Sequence, residues 1–375
     1  MAVTQATLSP RANGRADASL VWLTVLFVTL GILLVFDTTY FRSKMYYDSG
    51  FQMLGKHLVS IVMGVGLLGV LSRRRSTTIR LWARPVLVLS VMLLLLTHVP
   101  GIKHCANGAC RWVTLGPLNF QPAELVKLAF VAVVASHLCS VQKRVHEWRY
   151  GVAPVVALMG ALQLILVLQP DFGTVVLLGA LAVSLMFLAG VPPLKLGLLC
   201  LPLVMGAALL VQLEPYRLRR FLCFLDPSQD PLGACYQLKM SFRTFASGSY
   251  TGIGLGSSLQ KSGWLPEAHT DFVFAIVGEE GGLAGACFVL LLFIVFVYRG
   301  LRVAYRHPDP FGQLLAAGLT LTIAIQVLIN MGVVLGLLPT KGLALPFLSY
   351  GNSSMLATLA SVGMLLALSR ELRER

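Results

Sequence analysis

Within nine residues, Trp264-Leu265-Pro266-Glu267-Ala268-His269-Thr270-Asp271-Phe272, the chain places two carboxyls, an imidazole and a hydroxyl. An apolar run begins at Phe272 and, after Gly278-Glu279-Glu280, resumes from Leu283 to Tyr298. Acid–base chemistry is thereby set at the rim of a hydrophobic segment, where titratable groups are costly and are usually kept for a task. Headgroup contact by snorkelling side chains accounts for one such charge. It accounts poorly for four polar groups in a row.

Other polar segments recur along the chain. Arg111-Trp112 leads through Phe120-Gln121-Pro122 to Glu124 and Lys127, which share a helix face at i, i+3 and form either a self-neutralising pair or a wall whose lysine faces an anion. Asp171, in Gln169-Pro170-Asp171-Phe172-Gly173-Thr174, sits beside a helix break, where it either caps the next helix or serves a site. Arg217, Arg219 and Arg220 follow Tyr216, and guanidinium groups bind phosphate or pyrophosphate bidentately. Gly252, Gly254 and Gly256 alternate in a stretch that reads as a flexible loop or hinge, with Lys261 just beyond and near Asp271. Lys341 and the hydroxyls of Ser349, Ser353 and Ser354 lie in a Pro/Gly-broken approach to the last apolar run, a backbone tolerated at membrane depth when it lines a wet cavity or is buried in protein.

These groups need a scaffold, and the composition names it. Of 375 residues, 56% are hydrophobic and 12% charged, with a mean hydropathy of +0.78; a soluble protein carries about 25% charged residues. The fold expected is an all-α polytopic membrane protein with ten spans near 20–36, 52–71, 82–98, 122–141, 151–168, 172–190, 194–213, 271–298, 311–337 and 349–369. A long loop, 214–270, joins the seventh and eighth. Residues 1–18 read as a cytoplasmic disordered tail and 19–375 as one membrane domain. With the N-terminus cytoplasmic, short inside segments hold 17 Lys and Arg against 6 outside, so both termini are placed inside. The net charge of +14 is thus assigned to membrane orientation rather than to nucleic acid. The polar segments then gather on the outer side. Cys105, Cys110, Cys223 and Cys235 fall there too, which allows Cys105–Cys110 and Cys223–Cys235 disulfides. An outward cavity with several bases, a few carboxyls and membrane access suits an anionic lipid, a lipid-linked phosphate or pyrophosphate.

In order, Arg111–Lys127, Gln169–Thr174, Tyr216–Gln237, Leu265–Glu280 and Leu338–Ser354 resemble signatures of the SEDS family (shape, elongation, division and sporulation), which includes FtsW, RodA and SpoVE. Leu338-Pro339-Thr340-Lys341-Gly342 and Leu265–Asp271 look most like the division-type FtsW branch. The resemblance implies a peptidoglycan glycosyltransferase polymerising lipid II at the outer face of the bacterial plasma membrane during cell division, beside a class B penicillin-binding protein and other divisome proteins. It makes Asp271 the general base. Lys56, Arg111, Glu124, Lys127, Asp171, Arg217, Arg220, Lys341, Ser349, Ser353 and Ser354 are expected to line the site for lipid II and the polyprenyl-pyrophosphate-linked glycan. Lys261, Glu267, His269 and Thr270 are expected to line it as well, Glu267 and His269 also orienting or tuning Asp271 and Lys261 lowering its pKa. No organic cofactor is expected; a divalent cation, magnesium or manganese, could share the pyrophosphate charge. Lys56-His57 stands where many members have Arg-Gln, and Asn352 where the second glycine of Ser-Tyr-Gly-Gly-Ser-Ser is usual. A lipid II flippase and a non-catalytic divisome scaffold are the competing readings.

Overall fold

The computed structural model describes residues 14–372 except 102, 107–108, 116–117, 229, 231–232 and 234. Arg11, Arg373 and Arg375, counted above for orientation, and Gly116-Pro117 lie outside the described residues. Among those described, nine helices are long and apolar enough to cross a membrane: α1 (Ala18–Tyr47), α2 (Gln52–Leu71), α3 (Ser76–Leu96), α4 (Pro122–Ser140), α5 (Ala153–Leu168, entered through a π turn at Trp148), α7 (Pro193–Gln212), α10 (Val273–Arg306), α11 (Pro310–Val334) and α12 (Asn352–Arg370). The tenth expected span is α6 (Phe172–Leu188), whose 17 residues rise about 26 Å. Two further helices, α8 (Pro215–Leu225) and α9 (Tyr236–Gly248), order the long loop.

Local chemistry sets the helix starts. Pro122 and Pro310 occupy first-turn positions, where a missing N–H costs nothing. Asp171 and Asp309 cap α6 and α11 by accepting from Thr174 and Gly312 backbone N–H groups. The apolar helices α4, α6, α11 and α12 are mostly buried inside the bundle. Phe27 of α1 fills the contact with α10 and the segment before α12, its ring centroid 4.5 Å from Phe293 and 5.0 Å from Phe347.

Three features depart from expectation. The all-α reading omitted a small antiparallel sheet, β1 (Lys103–Ala106), β2 (Ala109–Leu115) and β3 (Leu118–Phe120), in the order β1-β2-β3. Pairs such as His104 with Trp112 and Val113 with Phe120 hold it, and Cys105–Cys110 closes its first hairpin. The eighth span, read as starting at 271, begins helically at Val273, so Asp271 precedes the helix. It also runs on to Arg306 through a break at Gly282. Finally, the tail read as extending to residue 18 is pinned at Asp17, which caps α1, accepts from Arg299 Nη2 at 2.6 Å and donates its N–H to Ser369 Oγ.

The last contact brings the start of α1 to the end of α12. At the same end Glu371 accepts from Ser76 N–H at 2.7 Å and meets His307 at 3.4 Å. Asp271 stands at the other end of α10.

Candidate active site

Asp271 is held by its backbone before its carboxyl does anything. Asn330 of α11 donates from Nδ2 to the Asp271 carbonyl (2.9 Å) and to the Leu343 carbonyl (2.7 Å). Ser349 Oγ donates to the Thr270 carbonyl and accepts from Leu345 N–H, while Tyr350 N–H donates to the His269 carbonyl at 2.8 Å. Two irregular segments, 264–272 and 338–351, are thereby laced together, and the lacing places Gly342 against Asp271. A Cβ built on Gly342 would lie 3.1 Å from Asp271 Oδ2 and 3.9 Å from Arg111 Nη1.

Strand β2 delivers Arg111. Its Nη1 lies 3.8 Å from Asp171 Oδ1, and its Nη2 donates to the Pro170 carbonyl in the α5–α6 turn. Asp171 serves both readings offered above: it caps α6, accepting from Thr174 Oγ1 at 2.8 Å, and it pairs with Arg111. Helix α8 contributes the other arginines. Arg217 and Lys341 share the ring of Phe172, at 5.7 Å and 3.7 Å from its centroid, and Arg220 reaches Gln237 of α9. Cys223–Cys235 ties α8 to the start of α9.

Two groups at this rim are shifted toward neutral pH. Burial, and next the Glu267 charge, push the Asp271 carboxyl up to about 7, against the pull of Arg111 and Arg220. The Lys341 ammonium is driven down to about 7, first by burial and then by repulsion from Arg217, Arg220 and Arg111. Arg111, Arg220 and Asp171 act on both groups. His269, buried and facing Arg42, is held down to about 4 and is therefore neutral near pH 7. Its 3.9 Å approach to Glu267 is not an ion pair at that pH. Glu267 accepts from Thr270 Oγ1 (3.1 Å) and lies 3.8 Å from Arg42, so this trio frames the loop carrying Asp271.

Several expected site residues lie elsewhere. Lys261 does not act on Asp271. Its ammonium bonds to Asp37 of α1 and, at 2.9 Å, to Glu280 of α10, because a buried lysine must find carboxylates and those two converge on it. The stretch read as a flexible loop or hinge is exposed but pinned to α10 by its backbone: Ile253 and Gly254 donate to the Glu279 and Glu280 carbonyls. Gly252 (φ 81°) permits that approach, since a Cβ there would stand 2.0 Å from the Glu280 carbonyl oxygen. Glu124 and Lys127 form a buried pair at 2.9 Å. Gln326 of α11 accepts from the same ammonium and donates to the Ala344 carbonyl, so the pair braces the 338–351 segment from below. Ser353 Oγ accepts from Gln121 N–H before α4, and the Ser354 carbonyl accepts from Thr358 Oγ1 within α12. Lys56 lies over the Tyr47 ring at 4.8 Å, on the α1–α2 hairpin. Reasoning from sequence missed Asn330 and Phe172 as site builders. An amide in an apolar run, four positions after Gln326, was the available signal for Asn330; for Phe172 there was none.

The family model described as cell cycle protein, covering FtsW, RodA and SpoVE, matches residues 18–374. The chain belongs to this family. It is 38% identical to a probable peptidoglycan glycosyltransferase FtsW of Geobacter sulfurreducens over 96% of each chain. It is 37% identical to stage V sporulation protein E of Bacillus subtilis over 94% of this chain and 97% of that one. Among solved structures it resembles a chain from work on the coordination of polymerization and crosslinking by a peptidoglycan synthase complex, with TM-score 0.76, 31% identity, and coverage of 95% of this chain and 98% of the other. It also resembles the rod shape determining protein RodA of Thermus thermophilus, with TM-score 0.71, 27% identity, and coverage of 96% and 98%. The FtsW/RodA/SpoVE membership accords with a multi-pass helical membrane protein.

Proposed function

We propose that this FtsW/RodA/SpoVE member is a peptidoglycan glycosyltransferase that polymerises lipid II during cell division, with Asp271 as general base. The observation that carries the reading is a half-buried carboxyl set against Arg111 and close enough to Arg220 to feel its charge, with Arg111 and Arg220 also acting on Lys341 beside Arg217. Asp271 takes the proton from the 4-hydroxyl of the acceptor GlcNAc. The freed oxygen pair attacks the anomeric carbon of the donor MurNAc, and the bond from that carbon to the pyrophosphate oxygen breaks, inverting the centre from α to β. The electron pair leaves on polyprenyl pyrophosphate, whose charge meets Arg217, Arg220, Lys341 and Arg111 without needing a proton. Among the described residues, no three imidazole, thiolate or carboxylate groups converge to hold a metal ion. A magnesium or manganese ion sharing that charge would be carried by the pyrophosphate oxygens and would need only one or two protein carboxylates.

The site is taken to face the exterior of the plasma membrane. The excess of Lys and Arg in the opposite loops supports this, as does the clustering of the Asp17, Ser76, His307 and Glu371 contacts at the other end of the bundle. A class B penicillin-binding protein is the proposed partner for crosslinking, supported by the likeness to a chain of a peptidoglycan synthase complex.

The test is strand synthesis from lipid II by the purified protein with its transpeptidase. Asp271→Asn should lower the rate by about 10²–10⁴ while partner binding persists. Undiminished synthesis would refute the base. If lipid II still crossed liposome membranes with that variant, the transport reading would be preferred.

A further inference from the structure

Helix α7 ends at Gln212 and α8 starts at Pro215, so only Leu213 and Glu214 join them. The 20 residues of α7 rise about 30 Å, the thickness of the hydrocarbon core. The chain therefore leaves the bilayer near Leu213, and two residues reach at most about 7 Å from there. Arg217 Nη1 donates back to the Leu210 carbonyl of α7 at 3.1 Å, which keeps the start of α8 at that depth. The far end of α8 is held at the same rim. Cys223–Cys235 ties it to α9, and Ser241 of α9 donates to the Val334 carbonyl at the end of α11, another span. Tethered at both ends, an 11-residue helix about 16 Å long lies along the membrane surface instead of rising from it.

The faces of α8 are sorted. Leu218, Phe221, Leu222 and Leu225 recur at i, i+3, i+4 and i+7, one stripe of a helix. Phe221, Leu222 and Leu225 are exposed, and the stripe continues the bare face of α7, where Leu209 and Leu213 are exposed too. Arg220 lies opposite the stripe and reaches Gln237, while Arg217 and Arg219 flank it. Bases beside an apolar stripe suit the boundary between acyl chains and headgroups.

We propose that Leu218, Phe221, Leu222 and Leu225 are seated among the acyl chains of the leaflet at the Asp271 rim, and that this seat sets Arg217 and Arg220 at the depth of lipid phosphates. The seat stands on the fold alone; what it does for turnover rests on the polymerase reading. A lipid-linked donor whose polyprenyl chain stays in the bilayer carries its pyrophosphate at that depth. Capture by α8 then requires no lifting of the chain out of hydrocarbon, and α8 favours a substrate that is borne by the membrane.

The purified protein with its transpeptidase, in phospholipid nanodiscs, tests the seat directly. A photoreactive benzophenone amino acid in place of Leu222 should, on irradiation, join chiefly to phospholipid, as read by mass spectrometry of the adducts. Adducts chiefly with the transpeptidase, or with neither, would overturn the seat. A second measurement compares strand synthesis from lipid II and from a short-chain, water-soluble analogue of it. Leu222→Glu should raise KM for lipid II about tenfold and leave kcat, and the KM for the analogue, near wild type. Leu222→Phe, which keeps the stripe apolar, should change neither. A loss shared by both substrates, or no loss with either, would overturn the role in capture. Absence of strand synthesis by the unaltered protein would sink the polymerase reading and leave the cross-link to decide the seat.

Discussion

Because burial and Glu267 hold the Asp271 carboxyl up to about 7, against an ordinary 3.8, its ionised fraction changes within the working pH range. A base acts deprotonated, so the rate should rise with pH. At pH 7 about half the sites carry the carboxylate and at pH 6 about a tenth, a loss of about fivefold that steepens to about tenfold per unit below pH 6. Lys341 has the opposite requirement, since it must stay protonated to meet a pyrophosphate, and its ammonium is held down to about 7. Only about a quarter of free enzyme at pH 7 would have both groups in the needed form if they titrated independently. The kcat/KM profile should therefore be a narrow bell centred near 7. Bound pyrophosphate brings anionic charge to Lys341 and raises its pKa, so the alkaline limb should recede in kcat. Glu267→Gln removes the largest neighbouring charge that raises Asp271, and its acid limb should move to lower pH. Initial rates of lipid II polymerisation across about pH 5 to about 9 would read all three effects. A profile flat down to about pH 5, as an unperturbed carboxylate would give, refutes the argument. So does an acid limb that Glu267→Gln leaves in place or moves upward.

Two further outcomes follow from contacts away from the carboxyl. Cys223 and Cys235 are buried and join α8, which carries Arg217 and Arg220, to α9, which Ser241 anchors to the Val334 carbonyl of α11. Cys223→Ser should raise KM for lipid II several-fold with kcat nearly kept; an unchanged KM would show that α8 needs no tether. Lys261→Met leaves the buried Glu280 and the partly buried Asp37 carboxylates without their cation, a loss of about 3 kcal/mol. Thermal unfolding in detergent should show a lower Tm that Lys261→Arg largely restores, and an unaltered Tm would contradict the pairing.

How far the amino-acid order reached can be judged residue by residue. Hydropathy located the helices because crossing hydrocarbon requires about 20 apolar residues whatever the rest of the fold does. α6 stands just short of that length, yet its boundaries were legible from Asp171 and the preceding proline. The chemistry at 264–271 was legible too, because four polar side chains at the edge of an apolar run are costly to keep. The small sheet was not legible: three short strands leave little periodicity, and pairing partners such as Val113 and Phe120 become evident only when the chain has turned.

Which charges act together was decided by tertiary structure. Lys261 lies ten positions from Asp271 yet bonds to Asp37, 224 positions away, whereas Arg111 and Gly342, remote in the chain, converge on that carboxyl. Coulomb interaction and desolvation depend on distance and dielectric in space, and sequence separation specifies neither. The order of residues determined a membrane bundle bearing a carboxylate and a set of cations at one rim. Only packing of the 338–351 segment, β2 and α8 against that rim decided which cations the carboxylate meets, and hence its proton affinity near neutral pH.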